Sequence, residues 1–174
     1  MKSYFSLKPE NVMIDDKGYV KVSDFGLAKL GITGKHDAKS VCGTPEYMAP
    51  EILFKMGHGK PVDWWTFGAI LYEMLSGLPP FYTTNREELF ERIKFGTLKY
   101  PASLSKAAKD LLEKLFQKNP EKRLGSGSEQ AEEIKKHPYF YGINWNSLLA
   151  RQIKAPFLPV LKGDTDLSNF AKVS

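Results

Sequence analysis

Cysteine is almost missing from this chain: Cys42 is the single one among 174 residues. One thiol cannot close an intrachain disulfide, which fits a reducing compartment. No apolar run is long enough to span a bilayer, and the first residues carry no signal-like stretch. The sequence therefore reads as a soluble, cytoplasmic protein. Blocks of like charge are also missing. The net charge of +5 comes from scattered residues, with no basic block interleaved with aromatics, so nucleic acid is not an expected partner. His36, His58 and His137 lack the spacing of metal ligands and read as surface or turn residues. There is no internal repeat and no low-complexity segment.

What is present is enough apolar material, 42% of residues, for one domain with a packed core. Val12-Met13-Ile14 and Tyr19-Val20-Lys21-Val22 read as two short strands, and Asp15-Asp16-Lys17-Gly18 supplies the turn of a hairpin between them. The residues from 27 to 40 are polar and contain glycine, as a mobile loop requires. Between Asp63 and Leu75 apolar side chains surround the helical wheel on all sides, which predicts a buried central helix ended by Gly77-Leu78-Pro79-Pro80. Asp63 stands at its start, where a carboxylate can cap free backbone N–H groups. Glu73 is the odd charge on this helix and needs a cation or an opening to solvent. Asn85 followed by Glu88 has the form of a capping box, and Ser105 precedes a helix bearing Ala108, Leu111, Leu112, Leu115 and Phe116.

Three short motifs follow one another at a specific spacing: Leu7-Lys8-Pro9-Glu10-Asn11, Asp24-Phe25-Gly26 and Ala49-Pro50-Glu51, the last reached through Cys42-Gly43-Thr44-Pro45-Glu46-Tyr47-Met48. In this order they resemble the C-terminal lobe of a eukaryotic Ser/Thr protein kinase over nearly the whole chain. Glu121-Lys122-Arg123-Leu124-Gly125 and His137-Pro138-Tyr139-Phe140 narrow the likeness to the AGC group, near the protein kinase B and cyclic-nucleotide-dependent branches. The fold this implies is mainly α: a helical bundle with a short β-hairpin at the catalytic cleft. Residues 1–140 would be a partial kinase domain, and residues 141–174, with Trp145 and Ala155-Pro156-Phe157-Leu158-Pro159, part of an AGC-type C-terminal tail. Residues beyond about Phe157 are expected to be poorly tethered.

The resemblance also assigns roles. Phosphoryl transfer asks of a protein mainly positioning and electrostatic stabilisation of phosphate oxygens. Asn11 and Asp24 match the two Mg²⁺ ligands, hard oxygen donors suited to that small ion, and Lys8 matches the cation on the transferred phosphate of ATP. Thr44 matches the residue that contacts Lys8 and the catalytic base. Ser40, with Lys29 as a cationic partner, matches the activation-loop phosphosite, which would make an upstream kinase a partner. Val41, Pro45 and Met48 match the pocket for the residue after the phospho-acceptor. Glu10 and Glu73 match the pair that holds an arginine upstream of it, so the implied substrate is a basic protein segment. Glu51 and Arg123 match a buried ion pair that ties the activation segment to the helical core, and Asp63 matches a brace of the catalytic loop.

The likeness breaks at residues 1–6. The family pattern asks for His/Tyr-Arg-Asp before Leu7, and this chain has Tyr4-Phe5-Ser6. Ser6 stands where an aspartate should accept the substrate's hydroxyl proton; a neutral hydroxyl cannot, and the loss is worth roughly 10²- to 10⁴-fold in rate. No residues matching a nucleotide lobe precede Leu7. The abruptness of the break reads as a truncated or wrongly started chain. Two readings follow: a basophilic, ATP- and Mg²⁺-dependent Ser/Thr kinase whose chain as written is inactive alone, or a non-catalytic lobe that binds other proteins.

Overall fold

A computed structural model describes residues 7–23, 44–163 and 165–170. It is mainly helical with one small sheet. Strands β1 (Val12–Ile14) and β2 (Val20–Val22) pair antiparallel with Val12 opposite Val22. Their turn is held by Asp15, whose carboxylate accepts from the N–H of Lys17 and of Tyr19. Gly18 sits at φ +81, the left-handed region that glycine adopts without a Cβ penalty.

Six helical segments follow among the described residues: α1 (Pro50–Leu53), α2 (Pro61–Ser76), α3 (Arg86–Phe95), α4 (Lys106–Leu115), α5 (Ala131–Lys135) and α6 (Trp145–Leu149). Helix α2 is the centre. Pro61 opens it with a preset φ, and Gly77, at φ +84, closes it by donating its N–H to Glu73 O at 2.8 Å. Asp63 lies in the first turn, well placed for the helix dipole, but it is not the capping residue. That position is Lys60, which makes no side-chain cap. Trp65 and Ala69 are fully buried, as are Leu111, Leu112 and Leu115 on the facing side of α4. The two helices approach closely at Gly68, where a Cβ would come within 3.0 Å of Leu115 Cβ. Trp65 stacks on Phe81 and meets Phe116 edge-on at 5.0 Å between ring centres. The helix is not buried all round: Met74 is 69% exposed, because the last turn of α2 runs out toward the exposed loop at Gly77 and Leu78.

The α3 start is half a capping box. Asn85 Oδ1 accepts from the N–H of Glu87 and Glu88, whereas the Glu88 carboxylate does not reach back. It accepts instead from Thr83 Oγ1 and pairs with Arg92 one turn on. At the other end, Lys118 caps α3 from outside, donating to the carbonyls of Arg92 and Ile93 while its ammonium rests 4.2 Å over the Phe81 ring. Ser105 caps α4 by accepting from Ala108 N–H. His58 and His137 are buried rather than superficial. His137 earns its place as a joint: Nε2 meets Asp110 Oδ2 at 2.7 Å and Nδ1 accepts from Tyr139 N–H. His36 lies outside the described residues.

After α6 the chain turns back across the hairpin. Tyr19 donates its hydroxyl to Ile153 O at 2.5 Å, and Arg151 lies over the Tyr19 ring with Asp15 at 3.4 Å. A Cβ on Gly18 would stand 2.3 Å from Phe157 O, so the absence of a side chain there lets the tail pass. Beyond it Val160, Leu167 and Phe170 are exposed.

Candidate functional site

Pro9 opens a 3-10 turn, Pro9–Asn11, in which Asn11 N–H donates to Lys8 O at 2.9 Å. That turn delivers Asn11 to the mouth of the hairpin, where its carbonyl accepts from Ser23 N–H at 2.8 Å and from Ser23 Oγ at 3.3 Å. Asn11 is 6% exposed, and its backbone N–H and carbonyl are both paired. Lys8 beside it is half-buried. Asp24, the residue after Ser23, lies outside the described residues, as do Ser6, Lys29, Ser40 and Val41. The structure therefore positions one half of the expected metal pair, and the strand register carries the chain to the residue that precedes the other.

A second 3-10 turn, Pro45–Tyr47, starts at Thr44, which is half-buried and makes no side-chain cap. Pro45 is half-buried too, and Met48 sits in the core at 6% exposure. The turn points Tyr47 at α2, where its hydroxyl donates to Glu73 Oε2 at 2.6 Å. Glu73 is thus satisfied by a phenol; among the described residues it forms no ion pair. Burial first, and then the Glu73 carboxylate, push the Tyr47 hydroxyl well above the ordinary phenol range, so it stays a donor at any physiological pH. The fields of Glu10 and Glu46 act in the same direction. The fields of three carboxylates therefore act on one neutral hydroxyl, and one of them, Glu73, accepts its hydrogen bond. One oxygen of Glu46 is buried without a hydrogen-bond partner among the described residues. Such an acceptor is expensive unless a donor arrives.

Glu51 and Arg123 form the most deeply buried polar joint. Arg123 Nη1 and Nη2 donate to the two carboxylate oxygens at 2.7 and 2.9 Å. Nη1 also donates to Pro61 O, Nε donates to Gln117 O, and the guanidinium lies over Trp65. The bidentate geometry anchors α1, and with it the Pro45–Tyr47 turn, to the α2–α4 core. Sequence reasoning gave no role to Tyr47 or Glu46. Tyr47 and Glu73 are 26 residues apart, and no periodicity links a turn residue to a helix that far along.

Among the described residues no helix is long and apolar enough to cross a membrane, and no cluster of three or more His, Cys, Asp or Glu could hold a metal. Residues 3–140 match the protein kinase domain family. Over 167 residues, 96% of this chain, the sequence is 49% identical to ribosomal protein S6 kinase beta of Caenorhabditis elegans, covering 30% of that protein. It is 48% identical to serine/threonine-protein kinase gad8 of Schizosaccharomyces pombe, covering 29% of it, and 47% identical to protein kinase C delta type of Rattus norvegicus, covering 24%. The chain spans less than a third of the length of these relatives.

Proposed function

Because the chain belongs to the protein kinase family, with the C-terminal-lobe sequence of an AGC-group Ser/Thr kinase, we propose that it forms the substrate-binding half of an enzyme that phosphorylates Ser or Thr in basic protein segments. The observation that carries this reading is the Glu73 carboxylate, held by the Tyr47 hydroxyl at 2.6 Å with Glu10 and Glu46 adding negative field at the same point, in a chain whose net charge is +5. Local field and overall charge have opposite signs, so the cluster selects cations where the rest of the molecule repels them. An arginine fits best, since its fork can donate to more than one carboxylate at once.

Asn11 and Asp24 would hold Mg²⁺, and Lys8 would face the transferred phosphate of ATP. The one donor the structure describes is of the right chemistry, a hard-oxygen amide carried on backbone that the turn and the hairpin hold. Bound metal–nucleotide supplies the phosphoryl group and neutralises its charge. Thr44 would orient Lys8, Val41, Pro45 and Met48 would receive the residue after the acceptor, and phosphate on Ser40, placed there by an upstream kinase, would pair with Lys29. Ser6 offers no base, so the chain as written is inactive alone. The proposed setting is the cytoplasm.

Titrating the 174-residue chain with an Arg-containing peptide tests the substrate reading. Binding should weaken at least about tenfold in Glu73→Gln, the worth of one charge-assisted contact; equal binding of an uncharged peptide would overturn it. A second reading, a non-catalytic protein-binding lobe, is favoured by Ser6. Mg-ATP titration separates the two: no nucleotide binding leaves only the lobe reading for this chain.

A further inference from the structure

His137 stands where α4, the end of α5 and the Pro138–Phe140 turn meet, and its ring is tied at both nitrogens. The side chain is 4% exposed. Nε2 meets Asp110 Oδ2 on α4 at 2.7 Å, and Nδ1 meets the N–H of Tyr139 at 3.2 Å. A backbone N–H can only donate, so Nδ1 must present a bare lone pair to it. The one ring proton then belongs on Nε2, where the Asp110 carboxylate accepts it. Together the two bonds select a neutral imidazole in a single tautomer.

A second proton has no place in this arrangement. It would sit on Nδ1 and set two N–H donors against each other across 3.2 Å. Asp110 favours the imidazolium, while Lys114 Nζ holds the same carboxylate oxygen at 2.7 Å and offsets part of its charge. The cations beside His137 in the chain are paired elsewhere, Lys135 with Glu132 and Lys136 with Glu129. The bond that gives way on protonation is therefore the one to Tyr139, since the one to Asp110 gains a charge. Tyr139 N–H lies in the first turn of Pro138–Phe140, which His137 caps. Tyr139 meets Phe140 edge-on at 5.0 Å between ring centres, Phe140 meets Trp145 at 5.4 Å, and Trp145 Nε1 donates to Lys135 O at 3.3 Å. The turn thus links the end of α5 to α6.

We propose that His137 is a proton-operated latch: neutral, it holds the Pro138–Phe140 turn shut, and protonated, it keeps Asp110 and releases Tyr139, loosening the turn and α6 with it. Every contact of the latch lies between described residues, and it shares none with the Tyr47–Glu73 bond, so it stands apart from the kinase reading.

NMR of the full 174-residue chain tests it, with the pH lowered from about 7.5 to about 5.5, across the range where histidine ordinarily changes charge. Long-range proton–nitrogen spectra should show the Nε2–H tautomer of His137 at the upper pH. On acidification the ring should gain its proton, and the Tyr139 amide and the Trp145 indole N–H should shift with the same midpoint. Exchange of the Tyr139 amide, corrected for its intrinsic pH dependence, should quicken about three- to tenfold, the worth of one lost hydrogen bond. His137→Asn keeps an acceptor for the Tyr139 N–H but takes no proton, so those shifts should be absent while circular dichroism matches wild type. Asp110→Asn should move the midpoint to lower pH, because the imidazolium loses its counter-charge and Lys114 remains. Four results would each overturn the proposal. They are an Nδ1–H tautomer at the upper pH, a ring that stays neutral throughout, a ring that gains its proton while the Tyr139 amide stays put, and an Asp110→Asn midpoint equal to wild type.

Discussion

Arg123 and Glu51 stand 72 residues apart in sequence and meet with side chains 0% and 4% exposed. At that burial the pair is unscreened, and removing one partner strands the other charge. Arg123→Met should cost about 3–5 kcal/mol, read as a lowered urea midpoint. The double variant Arg123→Met with Glu51→Gln should recover part of that loss, because no ion remains buried. A double variant no more stable than the single one would show that packing around Arg123, and not the charge pair, carries the stability. Asp110 gives the pH test at the same scale. Hydrogen bonds first from Lys114 and then from His137 hold its carboxyl below the ordinary range. A depressed value in the folded state stabilises above the unfolded value of about 4 and is lost as pH falls through the lower folded one. Asp110→Asn should therefore flatten the acid limb of the stability–pH curve below about pH 4.

Elements here are held at their ends more than by propensity. Asn85 satisfies two first-turn N–H groups of α3, so Asn85→Ala should cost about 1 kcal/mol by thermal denaturation. Gly125 combines a positive φ of +87 with the Trp64 indole nitrogen 2.6 Å from where a Cβ would sit. Gly125→Ala pays for both strain and displacement of a ring at the edge of the core, about 1–3 kcal/mol. If it melts like wild type, the loop after Arg123 shifts without loss and the close approach is not a constraint. The capping-box pattern at Asn85 shows how a local signal can be half right. The asparagine obeys the rule, while Glu88 is drawn off by Thr83 and Arg92, which lie nearer its carboxylate.

At the scale of the whole molecule, the tail is the least secured part of the described residues. Up to Leu158 it lies against the hairpin through Gly18 and Tyr19, and after that its large apolar side chains are exposed. Amide exchange should be fast over 159–163 and 165–170 and slow across α2 and α4. Protection of the tail comparable to α2 would contradict this. The acidic cluster, set in a chain of net charge +5, is a property of this scale too. It arises because two 3-10 turns and a central helix bring the fields of Glu10, Glu46 and Glu73 to bear on Tyr47.

Reading along the chain was enough for the hairpin, the central helix, the helix after Ser105 and the family. Each of these rests on near neighbours: turn residues beside strands, apolar side chains at helical spacing, short motifs in order. Burial of Glu51 against Arg123 entered through resemblance alone, since nothing local marks a charge as internal. The Tyr47–Glu73 bond, the buried His58 and His137 and the lysine that caps α3 were settled only by three-dimensional packing. The physical reason is common to all of them. Solvation and charge pairing depend on what lies within a few ångströms, and separation along the chain does not record that distance.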